Sequence, residues 1–267
     1  MPMRARFIFN PQAGRNPARR RRQYATLRRE LDRLGWRLDA EPAEVVVVCG
    51  GDGTLHRVVN EWAERPGPHP VLAVAPPWGT ANILAHALGV PADPARAARW
   101  LAQALPQPLP LARAETPAGR RYFFAVASVG FDAEIVHALS IGVGAERKRR
   151  WGKLAFALEA LRQWHRPMPE GVIFSLTPFF AGRYRLGTPG ADGTQAYRLS
   201  PAPADRVRQL LALAAGKLER ARGVERLPPG EVTVTQAGAA LELDGEPAGR
   251  TPATLALAGV NLRVLVR

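Results

Sequence analysis

Gly50-Gly51-Asp52-Gly53-Thr54 follows an unbroken apolar run, Val45 to Cys49, and precedes Leu55, Val58, Val59 and Trp62 at helical spacing. A turn of this composition between a buried strand and a helix can hold phosphate. Glycines let backbone N–H groups approach the oxygens, the helix N-terminus adds partial positive charge, and the Thr54 hydroxyl can donate. Asp52 does not fit plain anion binding, because a carboxylate repels phosphate unless Mg²⁺ lies between them or the group accepts a proton. The bland alternative is a tight turn in which Asp52 caps the helix. Two more turns follow apolar runs: Pro77-Trp78-Gly79-Thr80-Ala81-Asn82 after Val71 to Ala75, and Asn10-Pro11-Gln12-Ala13-Gly14 after Arg6 to Phe9. Alone each is a structural turn; side by side, such turns could clasp one triphosphate. Far downstream, Asp244 and Glu246 flank Gly245. That spacing can aim one acid at a hydroxyl proton and the other at metal or ribose, or it is a plain hairpin turn with two solvated acids.

The elements that must carry these turns alternate strand and helix through the first hundred residues, which implies a doubly wound α/β domain. Tyr24, Leu27, Leu31 and Leu34 mark a helix that Gly35 stops; Thr54 is placed to cap the next one; Ile83, Leu84, Ala87 and Leu88 mark a third. Asp93 and Pro94 open a fourth, with Ala97, Trp100, Leu101 and Ala104 inward. Trp36 to Leu38 is either an antiparallel edge strand or loop, because the stretch before Val45 is too short for a parallel crossover. From residue 107 the pattern changes to short β-like runs: Tyr122 to Ala127, Val172 to Leu176, Ala196 to Leu199, Val232 to Thr235, Leu241 to Leu243, Thr254 to Leu257 and Leu262 to Val266. Two helices interrupt them, one marked by Leu154, Leu158 and Leu161 between Trp151 and Trp164, the other over Val207 to Leu218. The expected division is residues 1–106, an α/β nucleotide-binding domain, and 107–267, a β-rich domain for the substrate.

The formal charge is +14, and of 37 basic residues only Lys148, Lys153 and Lys217 are lysine. Such a balance favours polyanions. Its densest runs, Arg19 to Arg22 and Arg147 to Arg150, lack the interleaved aromatics of single-strand binders, so an anionic membrane surface ranks above nucleic acid. No apolar run reaches the roughly 18 residues of a spanning helix or forms the core of a secretory leader, and the lone Cys49 excludes an internal disulfide. A cytoplasmic protein with peripheral membrane association is expected.

Taken together, NPQAG, GGDGT, PWGTAN, VASVGFDAEIV (127–137) and LELDGEPAG (241–249) resemble, in order and spacing, the motifs of the diacylglycerol kinase catalytic family, including its bacterial lipid kinases. The resemblance implies a phosphofructokinase-like nucleotide domain, a β-rich sandwich-like second domain and an active site between them. It implies ATP and Mg²⁺ as cofactors, and transfer of the γ-phosphate to a lipid hydroxyl. Carried over, Asn10, Gly50, Gly51, Gly53, Thr54, Gly79, Thr80 and Asn82 line the nucleotide, with Glu246 facing them. Asp244 is the expected base beside the acceptor hydroxyl and Asp52 the expected metal ligand, with the two roles exchangeable. The chain departs from the family in lacking a strand-helix segment before Val45 and in having His56, Arg57, Ile83 and Pro110 where acids or Asn-Glu are common. An inactive nucleotide- or lipid-binding relative therefore stays open, as does an NAD kinase-type enzyme. The partners expected are the lipid substrate and an anionic membrane, with homodimerisation open. His56, His86 and His137 read as packed or surface histidines, and Asp132 with His137 as part of the second domain's motif.

Overall fold

The computed structural model describes residues 3–14, 16–79, 82–180 and 184–267, and the chain divides into two compact units. The first is Met1–Pro110 with Val260–Arg267, the second Leu111–Gly259. The sequence assigned the terminal run, Leu262 to Val266, to the second domain; the fold returns it to the first.

In the first unit the order is β1 (Arg4–Phe9), α1 (Pro17–Arg33), β2 (Arg37–Leu38), β3 (Val45–Cys49), α2 (Asp52–Ala63), β4 (Val71–Val74), α3 (Ile83–Ala87) and α4 (Pro94–Gln103). The strands pair in parallel in the order β2-β1-β3-β4, and Val264 of the chain's last strand continues the sheet beside Leu72. Every residue of β3 and β4 is buried, as a parallel sheet covered on both faces requires. Helix α1 starts where the Asn16 side chain accepts from the Arg19 N–H, with Pro17 in its first turn, and α4 starts in the same way at Asp93 and Pro94. Strand β2 is an edge strand, as one reading allowed, but it runs parallel to β1. The short return to β3 is enough because β2 has only two residues, so the chain has little length to retrace.

The second unit is antiparallel. Its elements are β5 (Leu105–Thr116, which begins in the first unit), β6 (Gly119–Phe123), β7 (Val126–Val129), α5 (Phe131–Ala138), α6 (Gly142–Trp151), α7 (Lys153–Gln163) and β8 (Gly171–Ser175). There follow β9 (Phe179–Phe180), β10 (Tyr184–Arg185), β11 (Gln195–Leu199), α8 (Pro203–Ala214), β12 (Val224–Arg226), β13 (Val232–Val234), β14 (Ala240–Leu243), β15 (Glu246–Arg250) and β16 (Ala253–Val266), which ends in the first unit. One sheet has the order β12-β11-β8-β7-β14-β15; β5 pairs with β6, and β13 with the first half of β16. A single core of Ala112, Phe123, Val129, Phe174, Leu241, Leu243 and Leu255 lies among these strands. The expected strand Tyr122 to Ala127 is two strands, broken at Phe124 and Ala125 where the chain leaves β6 for β7. Thr254 to Leu257 and Leu262 to Val266 are one strand. Strand β5, with Pro106, Pro108 and Pro110, and helices α5 and α6 were not expected. Alternate prolines lack N–H groups along one side only, which a strand end tolerates.

Candidate functional site

Three turns of the first unit converge at the carboxyl ends of β1, β3 and β4. The Asn10 side chain donates Nδ2–H to the Thr54 Oγ1 at 3.1 Å, while its Oδ1 accepts from the Gln12 N–H at 3.0 Å. A Cβ on Gly14, whose φ is +76°, would lie 2.5 Å from the Trp78 carbonyl oxygen. A Cβ on Gly51 would lie 3.1 Å from the Gly79 Cα, and one on Gly79 would lie 2.9 Å from the Gly51 Cα. These glycines are therefore required for backbone to pass backbone, which closes the three turns into one floor. A Cβ on Gly50 would strike the Thr54 side chain.

Asp52 ties the floor to the third helix. It is not the cap the bland reading proposed: Gly51 is the N-cap of α2, Asp52 the first helical residue, and its Oδ1 accepts from the Ile83 N–H at 2.8 Å. Thr54 is likewise inside the helix and not its cap; its hydroxyl serves Asn10. Asn82 stands in the left-handed region, φ 52°, with its side chain accepting from the Gly79 N–H and donating to the Gly79 carbonyl at 2.8 Å. Gly53 is in the first turn of α2, and Thr80 lies outside the described residues. Asn10, Gly50, Gly51, Asp52, Gly53, Thr54, Gly79 and Asn82 are thus brought to one end of one sheet. The start of α2 offers its first backbone N–H groups to an anion, and Asp52 is the only carboxylate in residues 10–14, 50–54 and 77–82.

Arg20 was not singled out in the sequence. From the first turn of α1 its Nε donates to the Ala13 carbonyl at 3.2 Å and its Nη1 to Gln23 Oε1 at 2.6 Å, and its guanidinium crosses the space a Gly14 Cβ would take. It is half-buried, and desolvation, then neighbouring Arg19, lowers its pKa. It holds positive charge on the first turn. Four consecutive arginines hid it: only the fold shows which one turns inward.

In the second unit, Asp244 and Gly245 are the two central residues of the β14–β15 hairpin, both at positive φ, 53° and 84°. The plain-hairpin reading is right about the turn and wrong about solvation, since Asp244 is 1% exposed. Its Oδ2 accepts from the Phe124 N–H at 3.0 Å, and its Oδ1 from Ala125 at 2.9 Å and Val126 at 3.0 Å. The carboxylate satisfies the three N–H groups that the break between β6 and β7 leaves without strand partners. Glu246, at the start of β15, is half-buried.

Beneath this turn lies a pair of acids the sequence reading passed over or set aside. Glu242 Oε1 accepts from the Ser128 hydroxyl at 2.7 Å and its Oε2 from the Gly245 N–H at 2.6 Å, so it braces the hairpin from inside. Burial, then the charges of Asp132 and Asp244, push its pKa well above the usual carboxylate range; burial pushes Asp132 up to about 6. Alternation places Glu242 on the same face as Asp244, the one signal that could have found it. His137 Nε2 meets the Leu241 carbonyl at 2.8 Å and has a structural place, His56 is buried in α2, and His86 is exposed. No cluster of three metal-ligating side chains occurs among the described residues. A cavity of about 90 Å³ lies between β8, β11 and α8, lined by Ile173, Leu199, Leu210 and Leu213 with Asp132 and Arg206.

Comparison with known proteins bears on both units. Residues 28–114 match the diacylglycerol kinase catalytic domain. That stretch includes the second and third turns, with Asp52. A relative named probable lipid kinase YegS-like from Xanthomonas oryzae is 34% identical over 139 residues, 51% of this chain and 43% of that protein. A diacylglycerol kinase from Staphylococcus aureus is 36% identical over 111 residues, 35% of this chain and 34% of that protein. The matches thus span less than half the length of these curated relatives. A crystal structure described as a diacylglycerol kinase from Bacillus anthracis superposes with a TM-score of 0.70 at 18% identity, covering 99% of this chain and 97% of that one. The likeness establishes a common fold throughout.

Proposed function

We propose that this chain, whose residues 28–114 match the diacylglycerol kinase catalytic domain, is an ATP-dependent kinase of that family that transfers the γ-phosphate to a lipid hydroxyl at a membrane surface. The observation that carries the reading is the floor of three interlocked turns. Gly51 and Gly79 touch through backbone, Asn10 is bonded to Thr54, and Asp52 reaches Ile83, within and beside the segment that matches the family.

In this reading the N–H groups at the start of α2 receive the phosphates, and Arg20 adds a cation at the first turn. Mg²⁺ fits the donor set, because it is commonly held by one or two carboxylates together with phosphate oxygens, and the turns supply Asp52 alone. Bound there, it would neutralise charge developing on the phosphates. For the acceptor proton, we assign Asp244 to anchoring the hairpin, since three N–H donors occupy it. Asp52 and Glu246 remain as the carboxylates that can take the proton. The inactive-binder reading has support from Ile83, whose backbone N–H occupies an oxygen of Asp52.

Label transfer from γ-³²P-ATP to a panel of diacylglycerol, phosphatidylglycerol, sphingoid base and ceramide in mixed micelles tests the proposal. Labelled lipid that depends on acceptor and Mg²⁺ is expected. ATP binding without transfer to any lipid would favour the inactive binder, and NADP formation from NAD would reassign the enzyme.

A further inference from the structure

Helix α7 has two apolar faces. Ala155 is buried with Ile135 of α5 and with Leu139, which ends that helix, and Phe156 and Ala160 pack on the same cluster. The other face carries Leu154, Leu158 and Leu161, and there Leu154 is 57% and Leu161 69% exposed. Ile141, Val143 and Trp151, from α6 and its flanks, are exposed as well. A water-soluble helix with apolar residues on both sides is unusual, and exposed apolar residues concentrated on one segment mark a contact surface.

The charge around these residues indicates what the surface meets. Residues 141–166 contain seven basic side chains, Arg147, Lys148, Arg149, Arg150, Lys153, Arg162 and Arg166, against Glu146 and Glu159. Both Arg147 and Arg162 lie within ion-pair distance of Glu159, which leaves the segment strongly positive. Two copies of such a face would repel, whereas an anionic surface with an apolar interior complements both its charge and its leucines. A buried clamp fixes the end of the segment: Arg206, 4% exposed, donates to the Trp164 carbonyl at 2.8 Å, to Arg166 at 3.2 Å and to Pro201 at 2.7 Å. Its guanidinium thereby caps the carboxyl end of α7 and joins it to the chain before α8.

We propose that the α6–α7 face docks on an anionic membrane, with Ile141, Val143, Trp151, Leu154 and Leu161 entering the headgroup boundary and Arg150 and Arg162 beside them on lipid phosphates. The proposal deepens the lipid-kinase reading by naming its membrane contact, and it rests on that reading for its biological purpose. Vesicle flotation tests it, using phosphatidylcholine with and without phosphatidylglycerol. The parent should float with the anionic vesicles, and high salt should reduce this. Leu154→Ser with Leu161→Ser should reduce partitioning roughly tenfold or more. Leu105→Ser, at an exposed leucine of β5, should not. If the leucine variant is unstable in a thermal melt, Arg150→Glu with Arg162→Glu serves in its place and should weaken binding to the anionic vesicles alone. Partitioning equal to the parent in a folded variant overturns the proposal. So does a parent dimer that the leucine variant dissociates, which would give the face to a second copy. ATP affinity measured by calorimetry on the same samples should be unchanged, so loss of docking and failure of the nucleotide reading give separate results.

Discussion

Asp244 accepts N–H bonds from Phe124, Ala125 and Val126 while occupying a tight turn, so its substitution should read out first in stability. In Asp244→Asn one oxygen can still accept, but the new amide N–H₂ faces a donor. Hydrogen bonds to charged groups contribute about 1.5–3 kcal/mol each, and an unsatisfied buried donor costs a similar amount. We expect a markedly lower melting temperature, with ATP affinity of the folded fraction unchanged. A variant that melts like the parent yet transfers no phosphate would return Asp244 to the role of base. The sequence made the turn legible, because Asp-Gly suits positive φ at both central positions. It could not show what the carboxylate holds, since the three N–H groups lie about 120 residues earlier and exist as a problem only where β6 breaks into β7. Glu242 was hidden for the same reason, its partner Ser128 being on another strand.

At the scale of elements, the glycines of the first unit were legible as phosphate turns, but the structure gives them a second task. Gly51 and Gly79 are where two turns touch, and Gly51→Val would force its side chain against the Gly79 backbone. The turns would separate, so Gly51→Val should lose both ATP affinity and stability, by about 1–3 kcal/mol as for other overpacked sites. Calorimetry with a denaturant titration checks this; a variant with parent stability and parent ATP affinity would contradict the packing and the site together. Periodicity gave the strand-helix alternation well, because β3 and β4 are buried on both faces. At α7 it marked the helix by Leu154, Leu158 and Leu161 but not its buried side: Leu154 and Leu161 are exposed, while the smaller Ala155 and Ala160 face α5. Spacing identifies an apolar face without saying what covers it. Strand β5 was missed because its alternate prolines, at 106, 108 and 110, break the usual composition of a strand.

For the whole molecule, the division was legible as a change of texture, but not the return of Val260–Arg267, because pairing of Val264 with Leu72 is decided by sheet closure and not by local sequence. The acids Glu242 and Asp132 give the molecule a pH signature. Asp132 is raised to about 6 and Glu242 is raised as well, so the folded state binds protons more tightly than the unfolded chain does. Their contribution to stability is therefore fullest below about pH 4 and is lost as pH rises toward 6 and beyond. Asp132→Asn should flatten the fall in unfolding free energy between these values relative to the parent; parallel profiles would show that Asp132 titrates normally. The central claim, that the three converging turns hold the nucleotide, is tested most directly by amide hydrogen exchange with and without saturating Mg-ATP. We predict slowed exchange concentrated in residues 10–14, 50–55 and 77–84. Protection confined to other segments, or none at saturating nucleotide, would contradict it.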